Sequence, residues 1–168
     1  MPPRPRSVSV GWLVATAAVL ALVVAAASPP FVGPAAGAVV SQAFSVVCHQ
    51  LPGRAPEVGG VPLALCHRCW GVLLGLLVGL AFAPAAGRDR LAALARRAQG
   101  RLLLAAAAPT ALDWLVGVAG VWTNTPLSRG LTGAVFGVVA GAVLAANLFT
   151  SAPARAGLTL TPSPDPQP

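Results

Sequence analysis

Four stretches of near spanning length carry almost no charge, and this limits the fold more than any other feature of the chain. A helix needs about 20 largely apolar residues to cross a hydrocarbon core of about 30 Å. Residues 10–27, 69–87 and 130–150 contain no charged residue, and 102–122 contains one, Asp113. With 9% charged against 56% hydrophobic residues, the chain has too little polar surface for a water-soluble domain. The expected fold is therefore all-α: a polytopic integral membrane protein with four transmembrane helices. Residues 151–168 hold five prolines and little to bury, the composition of a disordered tail.

The formal charge of +7 is not spread as a nucleic-acid footprint would be. Five of the eleven arginines (Arg88, Arg90, Arg96, Arg97, Arg101) fall in residues 88–101, opposed only by Asp89. The excess of basic residues on cytoplasmic loops places this segment inside, and Arg4 and Arg6 place residues 1–9 there too. Both termini are then cytoplasmic, while the loop 28–68 and the turn 123–129 face out. The first window also resembles a secretory signal, with Arg4 and Arg6 before it and Ala25, Ala26 and Ala27 at its end. Its uncharged run of 18 residues exceeds the usual 7 to 15, and the sidedness of the rest is the same either way. Trp12, Trp70 and Trp122 stand near window ends, where indole rings favour the headgroup region.

Gly71, Gly75 and Gly79 recur every four residues in the second window, as do Gly133, Gly137 and Gly141 in the fourth. Lipid offers helices no hydrophobic reason to associate, so small residues on one stripe promote close backbone approach. These two helices are expected to pack on the stripes, within one chain or between copies in a homo-oligomer, or to receive a membrane partner. Residues 31–47 are apolar but hold Gly33, Pro34, Gly37 and Gln42. They are read as an interfacial or re-entrant helix that delivers Cys48 to the outer face.

All three cysteines and both histidines lie within the 22 residues from Cys48 to Cys69. Cys48, His49, Cys66 and Cys69 match the donor types and number of a tetrahedral Cys3His zinc site, with iron as the other metal considered. Cys66 and Cys69 form a CxxC half site, and the Pro- and Gly-rich stretch between Cys48 and Cys66 can fold back to supply the other half. If the helix begins before Cys66, Cys66 and Cys69 share a face while His67 turns about 100° away, which favours His49 over His67. Two alternatives remain: a thiol-disulfide centre, similar to the quinone-linked disulfide-forming membrane enzymes but lacking their second cysteine pair, and a simple structural disulfide.

An isolated carboxylate inside the membrane is costly, so Asp113 needs a partner. Arg129, at the outer start of the fourth helix, is the expected one because a long arginine can reach inward along apolar surface. The pair fixes two helices together or serves as a relay. Arg54 and Glu57 read as a solvated loop pair, and Asn124 and Thr125 as turn residues. The chain has no GxxxxGK[ST], GxGxxG or HExxH pattern, which argues against nucleotide-driven chemistry and zincin proteolysis.

The segments "CHQLPGR", "LCHRCWGVLLGLLVG", "PTALDW" and "NTPLSRGLTGAVFG" together resemble the uncharacterised bacterial and archaeal membrane proteins grouped as domain of unknown function 2085. The resemblance covers roughly residues 44–141. It rests on Cys48, His49, Gln50, Pro52, Arg54, Cys66, Arg68, Cys69, Gly71, Asp113, Arg129, Thr132 and Gly133. It implies an integral membrane protein with no assigned activity, and it points to Gln50, Arg54 and Arg68 as supports of the Cys/His loop. The family usually has a small residue where His67 stands, which again favours His49 as the ligand. It often has an aromatic in place of Leu73 and Gly in place of Trp114.

Overall fold

The computed structural model describes residues 9–83, 93–94 and 96–150, with only the backbone of Phe149 and Thr150. Arg4 and Arg6, Arg88 and Arg90, and the Pro-rich segment 151–168 lie outside the described residues. The elements in order are α1 (Val10–Ala27), a 3-10 turn (Pro29–Phe31), α2 (Pro34–Phe44), an antiparallel hairpin of β1 (Glu57–Val58) and β2 (Val61–Pro62), α3 (His67–Phe82), α4 (Arg96–Val118) and α5 (Pro126–Thr150). Three of these, α1, α4 and α5, are long and apolar enough to cross a membrane. Helix α3 is apolar but has 16 residues, about 24 Å at 1.5 Å per residue. Helix α2, with 11 residues, is too short to cross.

Helix ends follow capping chemistry more closely than they follow charge. Ser9 caps α1, its Oγ accepting the Trp12 backbone N–H at 3.1 Å, so α1 coincides with the uncharged window. Thr125 caps α5 in the same way through the Ser128 N–H at 3.1 Å, and Pro126 occupies its first turn, so α5 begins four residues before its window. Helix α4 is displaced as a whole. It starts at Arg96, which places Arg96, Arg97 and Arg101 on helical turns instead of in a loop. It ends at Val118, before the left-handed Gly120 (φ 70°), and the Gly120 and Val121 N–H groups return to the carbonyls of Gly117 and Val116. Trp122 therefore lies beyond the helix.

The closest packing is between α3 and α5, which run parallel. A Cβ added to Gly71, Gly75 or Gly79 would run into the backbone carbonyls of Gly130, Ala134 and Val138 in turn. Reciprocally, one added to Gly133, Gly137 or Gly141 would meet the carbonyls of Arg68, Val72 and Leu76. The ladders face each other within one chain, and each glycine admits a carbonyl of the partner helix.

Helices α1 and α4 run opposite to that pair. The Trp12 indole N–H donates to the Leu80 carbonyl at 2.9 Å, near the C-terminus of α3, where carbonyls lack intrahelical partners. Leu80, Val19, Ala83 and Ala145 form the buried cluster beneath it. Thr110 on α4 donates to the Thr132 carbonyl on α5 at 2.8 Å, and the Asn147 amide donates to Gln99 Oε1 at 3.1 Å. Elsewhere the helices turn apolar side chains outward: Leu13, Val14, Leu20 and Val24 on α1, Leu104, Leu112 and Leu115 on α4, and Leu131 and Val135 on α5 are exposed. Such a continuous apolar exterior suits lipid as the surrounding solvent.

Candidate functional site

At the end of the bundle where α1 and α4 finish and α3 and α5 begin, the chain between α2 and α3 folds back on itself. Gly59 and Gly60, both at positive φ (59° and 78°), form the two-residue tip of the β1–β2 hairpin, a conformation that other residues adopt with strain. The Ala64 N–H then donates to the Ala26 carbonyl at 3.0 Å, tying the returning strand to the last turn of α1. Gln50 ties the other side. Its side-chain amide donates to the carbonyls of Ser41 at 2.6 Å and Ala64 at 2.9 Å, with its own backbone held at φ 45°. One glutamine thus bridges α2 and the approach to α3.

These constraints bring three thiols together. The Sγ atoms of Cys48, Cys66 and Cys69 lie within 4.8 Å of one another, and all three cysteines are free. Cys48 is buried among Ala26, Ala64 and Leu65, with Phe44 and Trp70 packed around them. Its Sγ accepts the Cys66 backbone N–H at 3.3 Å. Cys66 is the residue immediately before α3 and Cys69 stands in the first turn. The hydrogen bond from the Cys69 thiol holds the Cys66 thiol well below the ordinary thiol range, against the opposing effect of burial, with the Cys69 backbone and the Cys48 thiol adding to the lowering.

Neither histidine joins this group. His49 is exposed and lies outside the set of clustered donors. His67 is engaged elsewhere: its Nδ1 bonds the Arg54 carbonyl at 2.6 Å, and its backbone N–H donates to the same carbonyl at 3.0 Å. With a carbonyl as acceptor, Nδ1 carries the proton. His67 therefore anchors Arg54 to the head of α3.

The ion pair differs from the expected one. Asp113 Oδ2 meets Arg68 Nη2 at 2.5 Å, not Arg129, and this is the only ion pair among the described residues. Two facts decide the exchange. Asp113 lies five residues before the end of α4, about 7.5 Å from it, and is shallower than a helix ending at Trp122 would make it. Arg68, in the first turn of α3, is at that same level, and the Gly133 gap lets its backbone sit directly against α5. Arg54 and Glu57 do not pair.

Asn124 has a larger part than a turn residue. Its amide donates to the Asp113 backbone carbonyl, and its side chain occupies the space a Cβ on Gly117 would need. Sequence reasoning missed this bond and the Trp12 and Gln99 bonds. Trp12 and Asn147, the partner of Gln99, stand within otherwise apolar windows, which is the signal that could have pointed to their bonds; Asn124 lies in a turn, where a polar residue gives no such signal.

A profile of the family described as "Predicted membrane protein (DUF2085)" matches residues 48–143, more than half of the chain. The stretch includes every residue of the thiol group and of the ion pair. A 41-residue segment is 42% identical to an uncharacterised protein of Methanocaldococcus jannaschii, covering 24% of this chain and 26% of that one. The chain thus spans about a quarter of the length of the relative it matches. No solved structure matches it.

Proposed function

The chain belongs to the DUF2085 family of predicted membrane proteins, and on that premise we propose that it is a multi-pass protein of the cell membrane with an extracytoplasmic thiolate metal site, zinc being its ion. Four spans are proposed, with α3 joining α1, α4 and α5. The arginine distribution supports the sidedness: Arg96, Arg97 and Arg101 stand at the end of the bundle opposite the thiols.

The observation that carries the metal reading is the convergence of three sulfurs within 4.8 Å. Tetrahedral zinc with Zn–S bonds of about 2.3 Å separates its sulfurs by about 3.8 Å, so a contraction of an ångström at most closes the set. The fourth position is assigned to His49, next to Cys48 in the chain; with it the site is closed and structural. Left to water or another donor, the site would be open and suited to metal handling. The bound ion would hold the loop to the head of α3 and neutralise thiolate charge, and Gln50 would keep Cys48 in place.

A second reading is favoured by Cys66 itself. A CxxC pair whose first thiol lies below the ordinary range suits thiol-disulfide exchange. An apolar cavity of about 520 Å³ also opens beside Cys69, lined by Leu22, Phe44, Val72 and Leu76 among others. In that scheme the Cys66/Cys69 dithiol becomes a disulfide, and its two electrons and two protons pass to a quinone that becomes the quinol.

Elemental analysis of detergent-purified protein beside Cys48→Ser, with free thiols counted in both, tests the proposal. About one zinc per chain, absent from the variant, is the expected result. Protein free of metal, with a Cys66–Cys69 disulfide that reductant opens, would overturn it in favour of the second reading. Loss of the metal in His49→Ala would identify the fourth ligand.

A further inference from the structure

A second cavity, of about 350 Å³, meets the head of α3 at Arg68 where the apolar one meets it at Cys69, and its walls are of a different kind. Arg54, Arg68 and Arg129 converge on it from three separate segments, together with Trp114, Trp122 and Asn124. Arg68 and Arg129 are partly buried there and Arg54 stands exposed at the rim, so three like charges share one pocket, a cost that a neutralising group would relieve. Asp113 answers for one through Arg68, and neither Arg54 nor Arg129 has an acidic partner among the described residues.

The helices sharpen the imbalance. Arg68 and Arg129 sit in the first turns of α3 and α5, where the helix dipole presents about half a positive charge and already disfavours a cation. The C-terminus of α4, which reaches the same pocket at Gly117 and Val118, offsets one of the two half-charges. Arg68 also keeps a donor in reserve: its buried Nε–H meets no acceptor among the described residues. Guanidinium groups arranged as a fork match the oxygens of a phosphate, and the cavity is larger than a bare halide needs.

We propose that this pocket binds a phosphate group, held by Arg54, Arg68 and Arg129 between the indoles of Trp114 and Trp122. The group belongs either to an anionic phospholipid or to a soluble phosphate compound. Both indoles are exposed, as suits side chains at a headgroup boundary. The site uses no metal and none of the three thiols, so it stands or falls apart from the zinc reading.

The test uses the full chain in a nonionic detergent. Inorganic phosphate is titrated at constant ionic strength against the tryptophan fluorescence, with acetate as a comparison. In a second arm, native mass spectrometry counts lipids retained from bicelles of phosphatidylcholine with and without phosphatidylglycerol. Wild type, Arg129→Gln, Arg54→Gln and Arg97→Gln are compared, Arg97 being exposed near the start of α4. The expected result is saturable binding of phosphate or retained phosphatidylglycerol, weakened about tenfold in Arg129→Gln and Arg54→Gln and unchanged in Arg97→Gln. Saturation by inorganic phosphate without lipid identifies a soluble source, and retention of phosphatidylglycerol alone identifies a headgroup; each supports the site. No binding of either by wild type, acetate binding as tightly as phosphate, or an equal loss in Arg97→Gln overturns it. Arg54→Gln keeps the test decisive if Arg129→Gln fails to fold, because the Arg54 side chain is exposed and its bonds to His67 run through its backbone carbonyl.

Discussion

Helix α3 makes opposite use of its flank and its head. Along the flank, Gly71, Gly75 and Gly79 meet α5 through missing side chains, and every turn places a carbonyl where a methyl group would otherwise be. At the head, four successive residues meet three partners: Cys66 and Cys69 join Cys48 in the thiol group, His67 bonds the Arg54 carbonyl and Arg68 pairs with Asp113. The flank is held by many weak contacts that depend on closeness, and the head by a few directional bonds. The flank should therefore fail when anything is added, and the head when anything is taken away.

The largest effect is expected from filling the seam. Gly75→Leu should abolish accumulation of folded protein, and Gly75→Ala should cost about 1–3 kcal/mol, read as a lowered midpoint in thermal or denaturant unfolding in detergent. A seam that accepts Gly75→Leu without loss would show that α3 and α5 are not in close contact. At the head, removing one member of the part-buried ion pair should rank next. Asp113→Ala leaves Arg68 unpaired and should cost about 3 kcal/mol, while Asp113→Leu combined with Arg68→Met should recover most of it. Equal losses in the single and double variants would mean that the pair is not coupled.

Gln50→Ala should follow, since it frees two carbonyls that currently accept its amide. The expected cost is about 1–3 kcal/mol, together with faster alkylation of Cys48 as the loop loosens. Unchanged reactivity of Cys48 would detach the glutamine from the thiol group. The smallest effect belongs to Trp12→Phe, which keeps an aromatic ring, though a smaller one, deletes the indole N–H bond to Leu80 and should cost about 1 kcal/mol. That variant sharpens the contrast, because it lies at the far end of α3 and should leave metal content untouched.

Much of the fold was legible because lipid imposes a simple rule on sequence. Charge-free windows located α1 closely and the other long helices approximately, and the glycine repeat marked the stripes that meet. Their edges were less legible, because a charged residue such as Arg96 or Arg101 can stand on a helical turn and extend past the apolar core. Caps set the ends instead, and Thr125 and Gly120 look like ordinary turn residues until their bonds are seen. For the candidate site, the gathering of Cys48, Cys66 and Cys69 in one loop announced a thiol group, and helical spacing set His67 off their shared face, but spacing could not show that His67 bonds the Arg54 carbonyl.

By itself, then, the sequence determined that the chain is a helical membrane protein with all its thiols at one end, since burial in lipid and donor chemistry depend on residue type. Only the tertiary structure decided that Arg68 rather than Arg129 answers Asp113, that His67 serves Arg54 and that Asn124 holds the turn of α4. It alone placed Arg54 and Arg129 around a shared pocket with no acid paired to either among the described residues. Pairings of this kind depend on helix register and depth. A shift of a single residue turns a side chain by about 100°, and no count of residue types records which neighbour it then meets.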